Sequence, residues 1–212
     1  MPTRPVLAYP LGDALYLNLT SACTLACVFC PKIRDGDFVV GGFDLKLERA
    51  PSADEVWAAA LALGLDGRAE VVFTGFGEPT RRLDVLLDLA RRLGAAGAAR
   101  VRVDTDGLAS LREGRDVVPE LAAAGVTAVS VSLNAADAAT YARVCPSRFG
   151  EAAYDACRDF IRRAARALPD VAASCVALPG LSEEACRASA EALGARFRWR
   201  PYDRLGRIPP QA

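Results

Sequence analysis

Short strand-like runs alternate with helix-like runs along the chain. Six runs of apolar and β-branched residues, bounded by glycine, proline or polar clusters, predict strands at 14–20, 69–74, 100–104, 128–134, 172–178 and 195–200. Segments with helical spacing lie between them, and four predict helices at 52–63, 83–93, 151–168 and 182–193. This order is typical of parallel β/α units, so we expect a single α/β domain over residues 1–212. An irregular tail is expected from about residue 203.

Residues that favour helix starts and stops mark the ends of these helices. Ser52 with Glu55 three residues later forms a capping box, and Gly64 follows the expected end of the first helix. The other three helices are expected to stop at Gly94, Pro169 and Gly194.

Apolar and polar residues alternate strictly within several of the predicted strands. In the first strand Leu15, Leu17 and Leu19 alternate with polar neighbours, and 100–104, 128–134 and 195–200 repeat the pattern. Parallel strands covered by helices on both faces normally read as continuous apolar runs, and the lumen of a closed eight-stranded barrel is filled with apolar side chains. Burying a polar face is costly unless ligands or water satisfy it. The pattern therefore predicts a polar, concave lumen, although any single strand could instead be an edge strand with one wet face.

Composition narrows the class of protein. Apolar residues make up 52% of the 212 residues and charged residues 25%, an ordinary globular balance. The 26 basic and 26 acidic residues cancel, so we predict no nucleic-acid or anionic-membrane partner. Neither a signal peptide nor a membrane-spanning run is recognisable, which favours a cytoplasmic protein. The absence of histidine excludes histidine-based zinc sites and Ser-His or Cys-His nucleophile pairs.

Three of the seven cysteines, Cys23, Cys27 and Cys30, crowd into the loop 21–31 after the first predicted strand. Three thiolates at spacings of four and three residues can hold a 4Fe–4S cluster and leave one iron without a protein ligand. A zinc site would need a fourth ligand from a distant cysteine or a carboxylate. A thioredoxin-like dithiol at Cys27 and Cys30 would leave Cys23 unexplained and lacks a helix start to lower a thiol pKa. Coincidental structural cysteines are the remaining alternative.

The spacing CxxxCxΦC, with Phe29 as the aromatic residue, is similar to the signature of the radical S-adenosylmethionine (SAM) superfamily. The resemblance implies a partial (β/α)6 TIM-like barrel, open on one side, with SAM bound to the free iron through its amino and carboxylate groups. It also implies reductive cleavage of SAM to methionine and a 5′-deoxyadenosyl radical that abstracts hydrogen from a substrate. An external reductant such as flavodoxin or ferredoxin is then expected.

Further segments resemble SAM-binding motifs of that superfamily. The Gly-Glu-Pro run follows the second predicted strand, with Phe76 standing where the family has its first glycine; the resemblance implies that this backbone receives the SAM amino group. Asp106 replaces the asparagine of a Thr-Asn-Gly turn. The cofactor-binding residues implied in this way are Phe29, Gly75, Phe76, Gly77, Glu78, Asp104, Asp106, Ser132, Asn134, Leu178 and Tyr202. Ser132 and Asn134 are expected at the SAM carboxylate or ribose, and Leu178 and Tyr202 at the adenine.

The chain resembles in particular a short radical SAM subfamily found associated with TatD-type nucleases, but that resemblance supplies no substrate. Arg102, Arg198 and Arg200 are predicted to face the lumen, and guanidinium groups favour carboxylate or phosphate. This favours a small anionic substrate, although the arginines could simply pair with Asp104 and Asp106. An activase or peptide modifier acting on a protein partner is the alternative.

Four cysteines lie outside the cluster loop. Cys157, Cys175 and Cys186 fall within predicted helices and a strand, where a cysteine usually behaves as a small buried apolar residue. Cys145, beside Pro146 in a predicted loop, is the candidate for a hydrogen-atom donor or a ligand of an auxiliary cluster.

Overall fold

A computed structural model of the chain describes residues 5–202, so the predicted tail from about 203 lies outside the described residues. Its main sheet has seven strands in the order β1-β2-β5-β6-β7-β8-β9. Six of these strands run parallel to one another: β2 (Ala14–Asn18), β5 (Glu70–Thr74), β6 (Val101–Thr105), β7 (Ala128–Ser132), β8 (Asp170–Val176) and β9 (Arg196–Arg200). All six predicted strands are therefore present, each within two residues of its predicted ends.

Two short antiparallel pieces were not predicted. β1 (Ala8–Leu11) pairs with β2 through a two-residue turn that starts at Gly12, where φ is 60°. A separate hairpin joins β3 (Val39–Val40) to β4 (Phe43–Asp44) across Gly41 and Gly42, both with positive φ, as such turns require. These strands have only two to four residues, too few for an alternating pattern to be recognised in the sequence. One of them also contains Pro10, a residue that is rare inside strands.

The helices follow the strands and cover the outer face of the sheet. They are α1 (Pro31–Arg34), α2 (Ala53–Ala62), α3 (Leu83–Ala95), α4 (Ala109–Glu113), α5 (Val118–Ala123), α6 (Ala138–Val144), α7 (Ala152–Ala167) and α8 (Glu183–Glu191), with a 3₁₀ turn at Pro79–Arg82. The capping box at Ser52 and Glu55 is confirmed. The predicted stop at Gly94 is wrong, because α3 continues through Ala95 and the chain leaves the helix at Gly97, where φ is 82°.

The predicted alternation places the apolar residues of the strands under the helices. Leu15, Leu17, Val103, Val129 and Val131 are at most 1% exposed and belong to one core cluster. The intervening positions of the same strands face the concave side of the sheet. Strands β1 and β9 end the sheet and do not pair with each other. The fold is thus the expected partial barrel, open on one side.

Within residues 5–202, no helix combines the length and the apolar character that crossing a bilayer would require.

Candidate functional site

A cavity of about 370 Å³ opens at the C-terminal ends of the parallel strands. It brings together most of the residues singled out in the sequence. Its lining includes Cys23, Cys27, Phe29, Cys30, Gly75, Phe76, Gly77, Glu78, Arg102, Asp104, Asp106, Ser132, Asn134, Arg198 and Arg200. Cys145, Leu178 and Tyr202 do not line it. Tyr202 instead accepts a hydrogen bond from Arg34 Nη1 at 2.6 Å, and Leu178 packs against the main core.

The cysteine loop is held by its own backbone and by one lysine. Cys30 precedes α1, and its carbonyl accepts the N–H groups of Ile33 and Arg34, each at 2.9 Å. Lys32 Nζ donates to the carbonyls of Ser21, at 2.7 Å, and Phe76, at 3.2 Å. Since Phe76 lies in the glycine-rich loop, Lys32 ties the two loops together beside the cavity.

The three loop thiols are partly withdrawn from water. Burial raises the pKa of Cys23 to about 12, with a further contribution from Glu78. Contact with the Cys145 thiol, together with burial, raises the pKa of Cys27, and burial raises that of Cys30. The inference that no helix start follows these cysteines is wrong, because α1 begins at Pro31. The Lys32 and Ile33 N–H groups oppose the shift at Cys30 without reversing it, so the free thiols stay protonated near neutral pH.

The donor set fits an iron–sulfur cluster better than a single metal ion. Across the part of the chain that the structure describes, no three Cys, Asp or Glu side chains are grouped closely enough to hold one ion. A tetrahedral zinc ion needs four ligands around one point. In a 4Fe–4S cluster each thiolate binds a different iron, so the three sulfur atoms do not have to meet around one point. Three thiols spread around one cavity wall match the second requirement.

The glycine-rich loop after β5 packs directly on the cysteine loop. A Cβ added to Gly77 would lie 2.0 Å from the Thr20 carbonyl oxygen and 2.7 Å from that of Ala22. The Glu78 N–H also donates to the Ala22 carbonyl at 2.9 Å. Glycine allows a close approach of backbone, and at Gly77 this approach is to the cysteine loop itself. This glycine therefore sets the spacing between two walls of the cavity.

The Glu78 carboxylate accepts hydrogen bonds from neighbouring groups of the protein. Glu78 is only 3% exposed. Its Oε1 accepts hydrogen bonds from Thr80 N at 3.0 Å, Thr80 Oγ1 at 2.6 Å and Thr105 Oγ1 at 2.8 Å. Its Oε2 accepts one from Asp106 N at 2.7 Å. These bonds join the glycine-rich loop to the turn after β6. The carboxylate thus organises the cavity wall.

Asp106 is a buried carboxyl in that turn. It is 4% exposed, and its Oδ1 accepts the Leu108 N–H at 2.8 Å. Burial, and then the nearby charge of Glu78, raises the pKa of Asp106 well above its usual range. An asparagine would keep the bond to Leu108 without the cost of a second buried negative charge.

Asn134, at the end of β7, links the cavity to the interior. With φ at 55°, it is the only non-glycine residue with positive φ among residues 5–202. Its backbone N–H donates to the Ser174 carbonyl at 3.1 Å, and its Nδ2 donates to Cys145 Sγ at 3.4 Å. Asparagine tolerates this left-handed conformation better than most residues. Ser132, two residues earlier, lines the cavity without a side-chain partner within the described chain.

Charges at the N-terminal ends of the strands neutralise one another. Glu70 pairs with Arg100 at 3.0 Å and with Arg102 at 2.6 Å, and Arg102 lies 2.9 Å from Asp104. Asp170 contacts Arg100 and pairs with Arg196 at 2.6 Å. We call these six side chains the N-terminal charge network. Arg102 is therefore committed to ion pairs, as the alternative interpretation of the sequence predicts.

Arg198 and Arg200, which we call the arginine pair, differ from that network. Both side chains belong to β9 and line the cavity, yet neither has an ion-pair partner among residues 5–202. Burial lowers the pKa of Arg200; Asp104 partly offsets this, and the like charge of Arg198 lowers it further. Within residues 5–202 neither guanidinium group is therefore held in an ion pair, and guanidinium groups favour charge-assisted hydrogen bonds to carboxylate or phosphate.

Part of the lining was missed from the sequence. Tyr9 and Leu11 come from β1, and Val40 and Leu45 come from or follow the β3–β4 hairpin. Only the tertiary structure brings these segments to the cavity. Ser130 and Ser174, by contrast, occupy lumen-facing positions of β7 and β8 and could have been read from the alternation. The remaining cysteines, Cys157, Cys175 and Cys186, are at most 1% exposed, as expected for small buried residues.

Comparisons with known proteins agree with this geometry. The Radical SAM superfamily model matches residues 17–193. The chain is 34% identical over 152 residues to a GTP 3′,8-cyclase of Mycobacterium sp. (strain KMS), covering 68% of this chain and 39% of the relative. It thus spans well under half the length of the curated relative it matches.

Solved structures resemble the chain in fold. SuiB of Streptococcus suis has a TM-score of 0.62 at 19% identity, over 85% of this chain and 37% of that one. TsrM of Kitasatospora setae, solved with cobalamin and a 4Fe–4S cluster, has a TM-score of 0.58 at 16% identity, over 89% of this chain and 36% of that one.

Proposed function

Because the chain belongs to the radical SAM superfamily, we propose that its cavity holds the cofactors of that superfamily, a 4Fe–4S cluster and SAM. Cys23, Cys27 and Cys30 ligate the cluster. The observation that carries this assignment is that three thiols of one loop share a single cavity with the glycine-rich loop and the polar strand ends. When bound, SAM reduced at the cluster supplies a 5′-deoxyadenosyl radical that abstracts a hydrogen atom from the substrate.

The polar residues of the wall orient SAM. The backbone of Gly75, Phe76, Gly77 and Glu78 receives the SAM amino group, since the Glu78 carboxylate is already hydrogen-bonded within the protein. Ser132 and Asn134 suit the carboxylate or ribose, and Asp104 and Asp106 border the same space. Phe29, Leu178 and Tyr202 keep their predicted roles around the cofactor. Leu178 and Tyr202 do not line the cavity, so they can contact the adenine only if SAM reaches out of the cavity.

The substrate is a small molecule with an anionic group, bound by the arginine pair. A guanidinium group binds carboxylate or phosphate through two parallel N–H bonds, and within residues 5–202 neither of these two is engaged in an ion pair. Arg102 lines the same cavity and is held by its ion pairs with Glu70 and Asp104.

One observation favours the second candidate, an activase or peptide modifier acting on a protein partner. Val28 and Ile33, in or just after the cysteine loop, are each 48% exposed, and Val39 of the hairpin is 44% exposed. Exposed apolar side chains beside a cavity mouth favour contact with another protein. The same surface would suit the electron donor, flavodoxin or ferredoxin.

Three further expectations stand with this proposal: a single domain, a cytoplasmic location and membership of the TatD-associated subfamily. The first rests on one continuous sheet through the described residues, and the second on the reduced cysteines. The third rests on sequence motifs alone.

The direct test is anaerobic reconstitution with iron and sulfide. We expect four iron atoms per chain, lost in Cys23→Ala, Cys27→Ala and Cys30→Ala. Cys186→Ala is the control, because that thiol is more deeply buried than the three loop thiols and lies outside the cavity. A wild-type chain that binds no iron, or a control that loses it equally, would overturn the proposal.

The substrate class is tested next. The loaded enzyme is incubated with SAM and dithionite, and 5′-deoxyadenosine is measured in the presence of a cell metabolite fraction or a cell protein fraction. Stimulation by anionic metabolites, lost in Arg200→Gln, supports the small-molecule proposal. Stimulation by protein alone would favour the second candidate.

A further inference from the structure

Cys145 lies directly against one of the cluster-loop cysteines. It follows α6, is 1% exposed, and its Sγ is 3.5 Å from Cys27 Sγ. It does not line the cavity, so a substrate held there would not reach its thiol. Because it is buried away from the cavity, Cys145 is a poor candidate for donating a hydrogen atom to a substrate. Its direct contact is with Cys27.

The backbone imposes this contact. Ala26 N–H donates to the Pro146 carbonyl at 2.8 Å, and Val28 N–H donates to the Val144 carbonyl at 3.0 Å. These two bonds flank Cys27 and Cys145 and hold the two residues side by side. The two sulfurs thus meet because of backbone pairing, and a rotamer change alone would not separate the two residues.

A third residue sets the direction of the thiol. Asn134 Nδ2 donates to Cys145 Sγ at 3.4 Å, which uses that sulfur as an acceptor. In the cluster-free chain the Cys27 thiol also donates to Cys145 Sγ, at 3.5 Å. Once Cys27 is a thiolate bound to iron it carries no proton, so Cys145 is the member of the pair that can donate.

We propose that Cys145 is a positioning residue for the cluster, donating an S–H···S hydrogen bond to Cys27 while Asn134 fixes its orientation. This inference rests on the proposed function, because it requires Cys27 to be a cluster ligand. Hydrogen bonds to cluster sulfurs help set the reduction potential, and a donor stabilises the more negative, reduced cluster. Since Asn134 lines the cavity, the same chain of contacts connects the proposed SAM site to the cluster ligand.

The test is a redox titration of the reconstituted protein without SAM, followed by electron paramagnetic resonance. Cys145→Ala should shift the midpoint potential of the cluster to a more negative value. Cys145→Ser keeps a donor in place and should shift it less. Cys186→Ala is the matched control, because it removes an equally buried thiol that is paired with Cys175 away from the cavity, and it should leave the potential unchanged.

Melting temperatures of the cluster-free variants separate a packing defect from the proposed role. A Cys145→Ala chain that folds, binds four iron atoms and titrates like wild type would overturn the proposal, as would an equal shift in Cys186→Ala. Iron content that falls in both Cys145 variants would instead identify Cys145 as an iron ligand and also overturn it. If wild type itself binds no cluster, the proposed function fails too, and iron analysis distinguishes that outcome. Should Cys145→Ala not fold, the serine variant and Asn134→Ala carry the test, each with a smaller negative shift expected.

Discussion

At the N-terminal ends of the parallel strands, Arg100, Arg102 and Arg196 each contact a carboxylate, whereas at the C-terminal ends Arg198 and Arg200 contact none within residues 5–202. Both regions lie on the same face of one sheet. In the first region the ion pairs balance the charges, so we expect its residues to contribute to stability. In the second region no carboxylate of residues 5–202 lies within ion-pair distance of either guanidinium group, although Asp104 acts on both at longer range, so we expect these residues to contribute to binding. This division matches the usual separation between the two faces of β/α barrels.

The largest effect is expected where the C-terminal loops meet. Gly77→Ala would place a Cβ 2.0 Å from the Thr20 carbonyl oxygen, so the cysteine loop must move. We expect loss of most reconstituted iron and a stability loss of about 1–3 kcal/mol, the usual range for overpacking. Iron analysis and urea denaturation measure the two effects.

Gly94→Ala is the matched control for that variant. Gly94 is helical, and an added Cβ would meet no atom within 4 Å. It should retain iron and gain about 0.5–1 kcal/mol, because alanine favours helix more than glycine does. Full iron binding by Gly77→Ala would show that the contact between the loops does not set the geometry of the site.

The N-terminal charge network is tested by Glu70→Gln. This substitution removes the charge shared by Arg100 and Arg102 and leaves partly buried guanidinium groups less well paired. We expect a loss of about 2 kcal/mol in the free energy of unfolding, the range for hydrogen bonds to charged groups, with SAM affinity unchanged. Glu183→Gln, which breaks an exposed pair with Arg187, should cost only about 0.3–0.5 kcal/mol. Equal costs in the two variants would contradict the special role of the network.

Arg200→Gln tests the other end of the lumen. Inorganic pyrophosphate is a suitable probe for the arginine pair, and calorimetry should show affinity falling about tenfold, or about 1.4 kcal/mol. Stability should not fall, because Arg200 has no ion-pair partner among residues 5–202 and lies beside a like charge. Arg196→Gln makes the same change at the start of β9, where the arginine pairs with Asp170. This variant should leave probe binding intact and lower stability. The comparison fails if both variants bind the probe equally.

The smallest effect is expected at Asp106, which lines the C-terminal end but carries a negative charge. Because its pKa is raised in the folded chain, ionisation of Asp106 costs stability once the pH exceeds the pKa of the unfolded chain. Asp106→Asn removes this cost and should raise the melting temperature of the cluster-free protein by about 2–4 °C at pH 7. The gain should shrink as the pH falls below about 4, the ordinary pKa of an aspartate, because the carboxyl is then protonated in both states of the wild type. A gain that does not depend on pH would point to packing instead of charge.

Much of this molecule could be predicted from local pattern. Strict alternation in β2, β6, β7 and β9 predicted both the helix-covered face and the polar lumen, because side chains point to opposite faces with a period of two. The capping box at Ser52 and the spacing of Cys23, Cys27 and Cys30 act over a few residues and were readable for the same reason. By contrast, β1 and the β3–β4 hairpin were too short to show a period, so their contribution to the cavity was missed.

Roles that depend on distant partners required the tertiary structure. The sequence by itself determined the succession of the six parallel strands and their helices along the chain, the superfamily and the candidate cluster ligands, since these follow from periodicity and short spacings. Only the fold decided that Arg102 is paired while Arg198 and Arg200 have no ion-pair partner among residues 5–202, and that the thiols of Cys27 and Cys145, 118 positions apart, lie in contact. The physical reason is that charge pairing and sulfur contact depend on distances of a few ångströms between separate β/α units, which no local pattern encodes.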